Sequence, residues 1–169
     1  MSKSSVALLR GINVGTSKRI GMAALSTLFE SLGATTVRSY LQSGNVVFDG
    51  QLTAEQIEQA VAAEFGVAPR VLVLTAAQFK RAAQNPLGAI ATDASRLFVV
   101  FMDAVPASLE PPSDIAPDVV VIGEHAVYQW MPAGFSTTKI PPKFTTSLGP
   151  TATTRNQRTV DALVGMLDG

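Results

Sequence analysis

The sequence predicts an α+β fold: a ferredoxin-like βαββαβ unit in the N-terminal half, with a second, degenerate α/β subdomain packed against it. Three observations predict this fold. Apolar periodicity separates six elements before residue 75, Thr-x-x-Gln signatures mark helix starts, and part of the element order recurs after residue 85. We therefore assign residues 1–84 to the ferredoxin-like subdomain plus a connecting helix, and residues 85–169 to a second α+β subdomain that ends in an amphipathic helix.

The first half alternates between the two periods that distinguish strands from helices. The expected elements are a strand at 6–12, a helix with apolar residues from Met22 to Leu32, strands at 36–41 and 46–48, a helix through Ile57, Val61 and Phe65, and a strand at 70–74. Gly33 stands where a helix C-terminus favours glycine, and residues 42–45 are typical of a hairpin turn. Because strand 46–48 is expected to pair with strand 6–12, the unit predicts one four-stranded antiparallel sheet with two helices on one face.

Three predicted helix starts carry the same signature, a Thr followed three residues later by a Gln: Thr53 with Gln56, Thr75 with Gln78, and Thr154 with Gln157. In such a capping box the Thr hydroxyl accepts from the third helical amide, and the Gln side chain accepts from the amide of the Thr. The signature predicts that all three threonines are N-caps.

The second half repeats part of this order after a boundary at residues 85–88. The expected elements are a buried strand at 97–102, strands at 119–122 and 126–130 joined as a hairpin, and a closing helix through Val160, Leu163, Val164 and Leu167. Residues 106–117 hold four prolines, so any helix there must be short. A degenerate copy of the first unit is one interpretation, although the two halves share no obvious sequence repeat.

Composition narrows the function classes. Thirteen basic residues balance thirteen acidic ones, whereas a dedicated nucleic-acid binder usually has a basic excess, so nucleic acid is an unlikely partner. The chain has no cysteine and only His125 as histidine, so we expect no metal site and no cofactor. No stretch reaches the length of a membrane helix, which makes the cytoplasm the expected location and a membrane role unexpected. Oligomeric state is left open.

Three segments together resemble a known family. They are residues 7–15 (ALLRGINVG), residues 42–48 (QSGNVVF), and residues 153–156 (TTRN) followed by Thr159. In this order and spacing they are similar to the bacterial family called domain of unknown function 1697. The resemblance implies a cytoplasmic α+β fold related to paired ferredoxin-like units, and it implies no reaction. Two features depart from the family pattern: Gln157 replaces the usual Trp, and Ile-Pro-Pro at 140–142 falls where a helix is expected.

The topology also predicts a candidate site. In a βαββαβ unit the end of the first strand and the turn after the second lie at the same edge of the sheet. Residues 10–18 and 42–45 therefore meet at one rim, where loops commonly carry function. The candidate ligand-binding residues, with the more distant Arg155 as a possible addition, are Arg10, Asn13, Gly15, Lys18, Gln42, Ser43, Asn45 and Arg155. Their guanidinium, ammonium and amide donors suit a small anionic or nucleotide-like ligand.

Each part of this site also has a structural interpretation. Residues 13–19 can be a solvated surface connection, because their spacing matches neither a P-loop nor a dinucleotide fingerprint. Residues 42–45 can be chosen by turn chemistry alone, and Arg10 can form a buried ion pair. Arg155 can belong simply to a capped helix start. No general acid or base lies in these segments, so whether the chain is an enzyme stays undecided.

Two other functions remain open at this stage. An RNA-binding module could use the same sheet topology, although no RNP motif is present. An assembly protein could instead pair its exposed sheet edges.

Overall fold

The computed structural model describes residues 4–15 and 18–169. Within them lie eight strands, arranged in two four-stranded antiparallel sheets, and five α-helices. The strands are β1 Ser4–Arg10, β2 Thr35–Tyr40, β3 Asn45–Asp49, β4 Arg70–Thr75, β5 Leu97–Phe101, β6 Val119–Ile122, β7 Val127–Trp130 and β8 Thr153–Asn156. The helices are α1 Met22–Ser31, α2 Ala54–Phe65, α3 Ala76–Ala82, α4 Pro142–Ser147 and α5 Gln157–Asp168. The mixed α+β class predicted from the sequence is confirmed.

By compactness the chain divides into two units. The first comprises Met1–Phe79 with Leu163–Gly169, and the second comprises Lys80–Ala162. The division falls inside α3 and α5 rather than after residue 84. The domain assignment 1–84 and 85–169 stays a prediction.

The sheet of the first unit has the order β2-β3-β1-β4. β1 pairs antiparallel with β3, with Val6 opposite Val47, and also with β4, with Val6 opposite Leu74. The expected pairing of strand 6–12 with strand 46–48 is confirmed, although β1 ends at Arg10 because Gly11 turns the chain at φ +88°.

Alternation along these strands places one set of side chains under both helices. Leu9, Val46 and Phe48 from the sheet share a buried core with Phe29 of α1 and Ile57 of α2. Phe29 and Phe48 meet edge to face, with ring centroids 5.4 Å apart. Since both helices contribute to one core, they cover the same face of the sheet, as predicted.

Two of the three predicted capping boxes are present. At α2, Thr53 Oγ1 accepts from the Gln56 amide at 3.1 Å and Gln56 Oε1 accepts from the Thr53 amide at 2.8 Å. At α3, Thr75 and Gln78 exchange the same two bonds at 3.1 and 2.9 Å.

The third box, at Thr154, is wrong. Thr154 lies inside β8, opposite Val100 of β5, and the helix begins two residues later than predicted. Asn156 caps α5 instead, its Oδ1 accepting from the Thr159 amide at 3.0 Å. Strand pairing has overridden a local capping signature, since Thr also suits a strand.

The sheet of the second unit has the order β6-β7-β5-β8. β5 lies between β7 and β8, and the predicted hairpin of β6 and β7 is confirmed. All of residues 102–118, between β5 and β6, are described and contain no α-helix. This segment nevertheless supplies Met102, Ile115 and the half-buried Leu109 to the core under the sheet.

Between β7 and β8 the chain forms the short helix α4. Pro141 is its N-cap and Pro142 its first residue, a position that suits proline because the first helical amides have no partner within the helix. The prolines at 141–142 are therefore compatible with the helix that the family resemblance implies there. No helix in the described residues is long and apolar enough to cross a membrane.

Candidate functional site

The loop after β1 and the turn between β2 and β3 meet at one end of the first sheet, and we call this surface the rim. Asn45 is the register partner of Leu8, and the Leu9 amide donates to the Gly44 carbonyl at 2.8 Å. Gly44 has φ +100°, and a Cβ placed on it would lie 2.8 Å from Leu9 Cβ and 2.9 Å from Ile12 Cδ1. Only glycine fits this contact, so residues 10–15 and 42–45 adjoin as the topology predicted.

Asn13 fastens this loop to the turn. Its Nδ2 donates to the carbonyls of Gln42 at 2.8 Å and Ile20 at 3.0 Å, and its Oδ1 accepts from the Ile20 amide at 2.7 Å. Arg19 Nη1 also donates to the Asn13 carbonyl at 2.7 Å. Both amide hydrogens of Asn13 are thus engaged within the protein, and its role here is to hold the loop in place.

Asn45, one of the candidate ligand-binding residues, is fully buried, so its side chain does not lie on an accessible surface. Its Nδ2 donates to the Tyr40 carbonyl at 2.8 Å and to Ser43 Oγ at 3.2 Å. A buried amide must find such partners, and these partners stabilise the turn from inside. Gln42 and Ser43 remain exposed on its outer side.

Cationic side chains gather at the rim. Arg10 is exposed at the end of β1, so it does not form the buried ion pair of the structural interpretation. Its register partner on β4 is Arg70, which is also exposed. Directly opposed residues of an antiparallel pair project from the same face of the sheet. Lys18 and Arg19 are exposed on the described part of the following loop, and Gly15 precedes it at φ +55°. Thr16 and Ser17 lie outside the described residues.

Arg70 is a site candidate that the sequence analysis missed. The signal was available, because antiparallel pairing of the first and fourth strands of a βαββαβ unit places the start of the fourth beside the end of the first. Finding the direct opposition to Arg10 requires the register, which sequence periodicity does not give.

The rim also carries unusual backbone and exposed apolar surface. Asn13 and Leu41 have φ of 53° and 61°, and a left-handed conformation is uncommon for Leu. Leu41 is 53% exposed and Val14 57% exposed. Residues with strained backbone of this kind cluster at active sites and ligand-binding sites.

Arg155, the last predicted site residue, lies on β8 in the second unit. It is half-buried, and its Nη1 donates to the Thr154 carbonyl at 3.0 Å. Loss of hydration lowers the pKa of Arg155 to about 10, so the guanidinium stays charged at neutral pH. The structural interpretation of Arg155 as part of a capped helix start is also wrong, because the residue lies on strand β8.

The arrangement of histidine and acidic side chains bears on whether a metal ion could be held. Across residues 4–15 and 18–169, no three histidine, aspartate or glutamate side chains form a group that could hold a metal ion. His125 is exposed in the tight turn of the β6–β7 hairpin, where its Nε2 lies 3.9 Å from Oε2 of Glu124. The described part of the rim offers cations, the Ser43 hydroxyl and backbone amides, which can bind an anion.

Comparison with known proteins agrees with the fold. The chain is similar to the solved structure of a conserved bacterial protein from Streptococcus pneumoniae, with a TM-score of 0.70 and 23% sequence identity over 97% of this chain and 98% of that one. No curated protein matches the chain.

The model of the family described as protein of unknown function (DUF1697) matches residues 2–128. This range contains the motifs at 7–15 and 42–48, and the third motif lies beyond it. The chain belongs to the DUF1697 family of proteins of unknown function.

Proposed function

We propose that this protein binds a small anionic or nucleotide-like ligand at the rim formed by residues 10–18 and 42–45. The observation that carries the proposal is the cross-strand pair Arg10 and Arg70, both exposed and directly opposed at this end of the sheet. Like charges at such positions destabilise a sheet. An anion bound at this end of the sheet would accept charge-assisted hydrogen bonds from both guanidinium groups.

The contacts at the rim support a division of roles. Arg10, Lys18 and Arg70 supply charge, and Ser43 with the side chain of Gln42 supplies hydrogen bonds from the turn. Gly15 allows a close backbone approach at the other edge. Asn13 and Asn45 are positioning residues in this proposal, because their amide hydrogens already hold the loop and the turn. Arg155 is not used.

The ligand class follows from the mixture of groups. Guanidinium groups bind phosphate and carboxylate oxygens in a bidentate manner. The exposed side chains of Val14 and Leu41 offer apolar surface at the same rim, which suits a ligand with an apolar part beside its charge. Recognition without acid–base chemistry is what these groups can perform.

We also infer a finer fold description. The order β2-β3-β1-β4 with two helices on one face supports a ferredoxin-like first unit. The order β6-β7-β5-β8 supports a degenerate second copy, with residues 102–118 in place of the first helix. A cytoplasmic location stays a prediction.

A thermal-shift panel tests the proposed function. The probes are inorganic phosphate, ribose 5-phosphate, adenosine monophosphate and citrate, applied to the wild type and to Arg10→Gln and Arg70→Gln. At a hundred times its Kd, a ligand that binds the folded state stabilises it by about 2.7 kcal/mol. We expect at least one probe to do so, and either substitution to weaken its binding by at least about tenfold, since a hydrogen bond to a charged group contributes about 1.5–3 kcal/mol.

Arg81→Gln is the matched control, because Arg81 is an exposed arginine on α3. It should leave the ligand-induced shift unchanged. Without ligand, Arg70→Gln should change the free energy of unfolding by no more than about 0.5 kcal/mol, as expected for an exposed surface position. The proposal fails if no probe shifts the wild type, or if Arg81→Gln weakens binding as much as Arg70→Gln does.

A further inference from the structure

The second unit contains a cleft that the proposed function does not involve. It has a volume of about 370 Å³ and lies between the proline-rich segment after β5 and helix α4. In the first unit, helix α1 follows β1 and helix α2 follows β3. In the second unit, the segment that corresponds to α1 is residues 102–118, after β5. Residues 102–118 form no helix, and the cleft lies along this segment.

The walls of the cleft are mainly apolar. Pro106, Leu109 and Pro112 line one side, and Phe144 of α4 lines the other. Leu109 and Phe144 continue into the core of the unit, with Phe144 only 7% exposed. Prolines and a core phenylalanine make walls that lose little conformational freedom when a ligand binds. The volume lies at the lower end of the range for small-molecule sites.

Opposite charges stand on the two walls. Glu110 belongs to the proline-rich segment and Lys143 to α4, and both are exposed lining residues of the cleft. Neither forms an ion pair with the other, or with any other side chain, in the described part of the chain. A ligand with a cation at one end, an anion at the other and an apolar body complements this arrangement.

We propose that the cleft binds a short apolar peptide with free termini, about the size of a dipeptide. Its ammonium terminus lies at Glu110, its carboxylate terminus at Lys143, and its side chains lie on Leu109 and Phe144. Two residues of extended chain span about 7 Å, so the two terminal charges of the peptide lie at opposite ends of its apolar part. The site lies wholly within the second unit, so its failure and that of the rim proposal are independent.

Calorimetric titration of the full chain with leucyl-leucine tests this proposal. Each of Glu110→Gln and Lys143→Gln should weaken binding by at least about tenfold, because each removes a charge-assisted contact with one terminus of the peptide. The matched controls are Glu124→Gln and Lys139→Gln, exposed residues outside the cleft, and they should bind like the wild type. Unchanged melting temperatures would show that all four variants fold.

Blocked peptides identify which terminus each residue recognises. Acetylation of the amino terminus should weaken binding to the wild type but not further weaken binding to Glu110→Gln. Amidation of the carboxyl terminus should weaken binding to the wild type but not further weaken binding to Lys143→Gln. The proposal is overturned if leucyl-leucine shows no saturable binding with a Kd below about 10 mM. It is equally overturned if both cleft variants bind like the controls.

Discussion

At the scale of single residues, the rim depends on a few positions where backbone and packing leave no alternative. Gly44 combines a positive φ with contact to β1, and Asn13 and Asn45 direct their amides inward. Asn13 and Asn45 were predicted to contact a ligand, because asparagine is equally typical of binding loops and turns. Their hydrogen bonds assign them to the framework, and the exposed cations remain as the groups that can reach a ligand.

Gly44→Ala should be among the most destabilising single changes in the turn. The new methyl group would meet Leu9 Cβ at 2.8 Å in a backbone region that alanine avoids. We expect a loss of about 2–5 kcal/mol in the free energy of unfolding, from left-handed strain plus overpacking. Chemical denaturation measures it.

Gly66→Ala is the control for the backbone part of this cost. Gly66 ends α2 at φ +69°, and a Cβ there meets nothing within 4 Å. It should cost only about 1–2 kcal/mol. Equal losses at both glycines would mean that the contact with Leu9 does not constrain the turn.

At the scale of elements, helix starts show both the strength and the limit of a local signature. The same Thr-x-x-Gln pattern caps α2 and α3 but lies in strand β8 at Thr154. The difference lies in the length of the strand, because Thr75 is the last residue of β4 whereas β8 continues for two residues beyond Thr154. Asn156 then takes the cap, since asparagine is at least as good there as threonine.

Replacing Thr by Val separates the two roles, because it removes the hydroxyl and keeps the β-branched shape. Thr53→Val and Thr75→Val should each cost about 0.5–2 kcal/mol of stability, as should Asn156→Ala. Thr154→Val should stay within about 0.5 kcal/mol of the wild type. Thermal and urea unfolding of the four variants measures these costs, and a loss at Thr154 as large as that at Thr53 would contradict the assignment of the cap to Asn156.

At the scale of the whole molecule, the sequence was sufficient for the order of the first six elements and for the meeting of two loops at the rim. Hydrophobic period, capping boxes and Gly33 are local signals, and strands joined by a short turn leave few topologies. The burial of Asn45, the pairing of Arg10 with Arg70 and the strand at Thr154 all depend on register. Register is decided by packing between residues distant in sequence, so local patterns could not reveal it.

The cleft in the second unit has the same origin. Four prolines in residues 106–117 predicted that no long helix forms there. They did not predict that the segment would face α4 across an open volume, with Glu110 and Lys143 on opposite walls.

The most direct test of the central claim is an NMR titration of the ¹⁵N-labelled chain with inorganic phosphate. Backbone amides and arginine side-chain N–H groups report the location of binding without any assumption about the natural ligand. We predict saturable shifts concentrated at residues 10–15 and 42–45 and at the guanidinium groups of Arg10 and Arg70. Shifts that do not saturate, or that saturate only on residues outside the rim, would contradict the account.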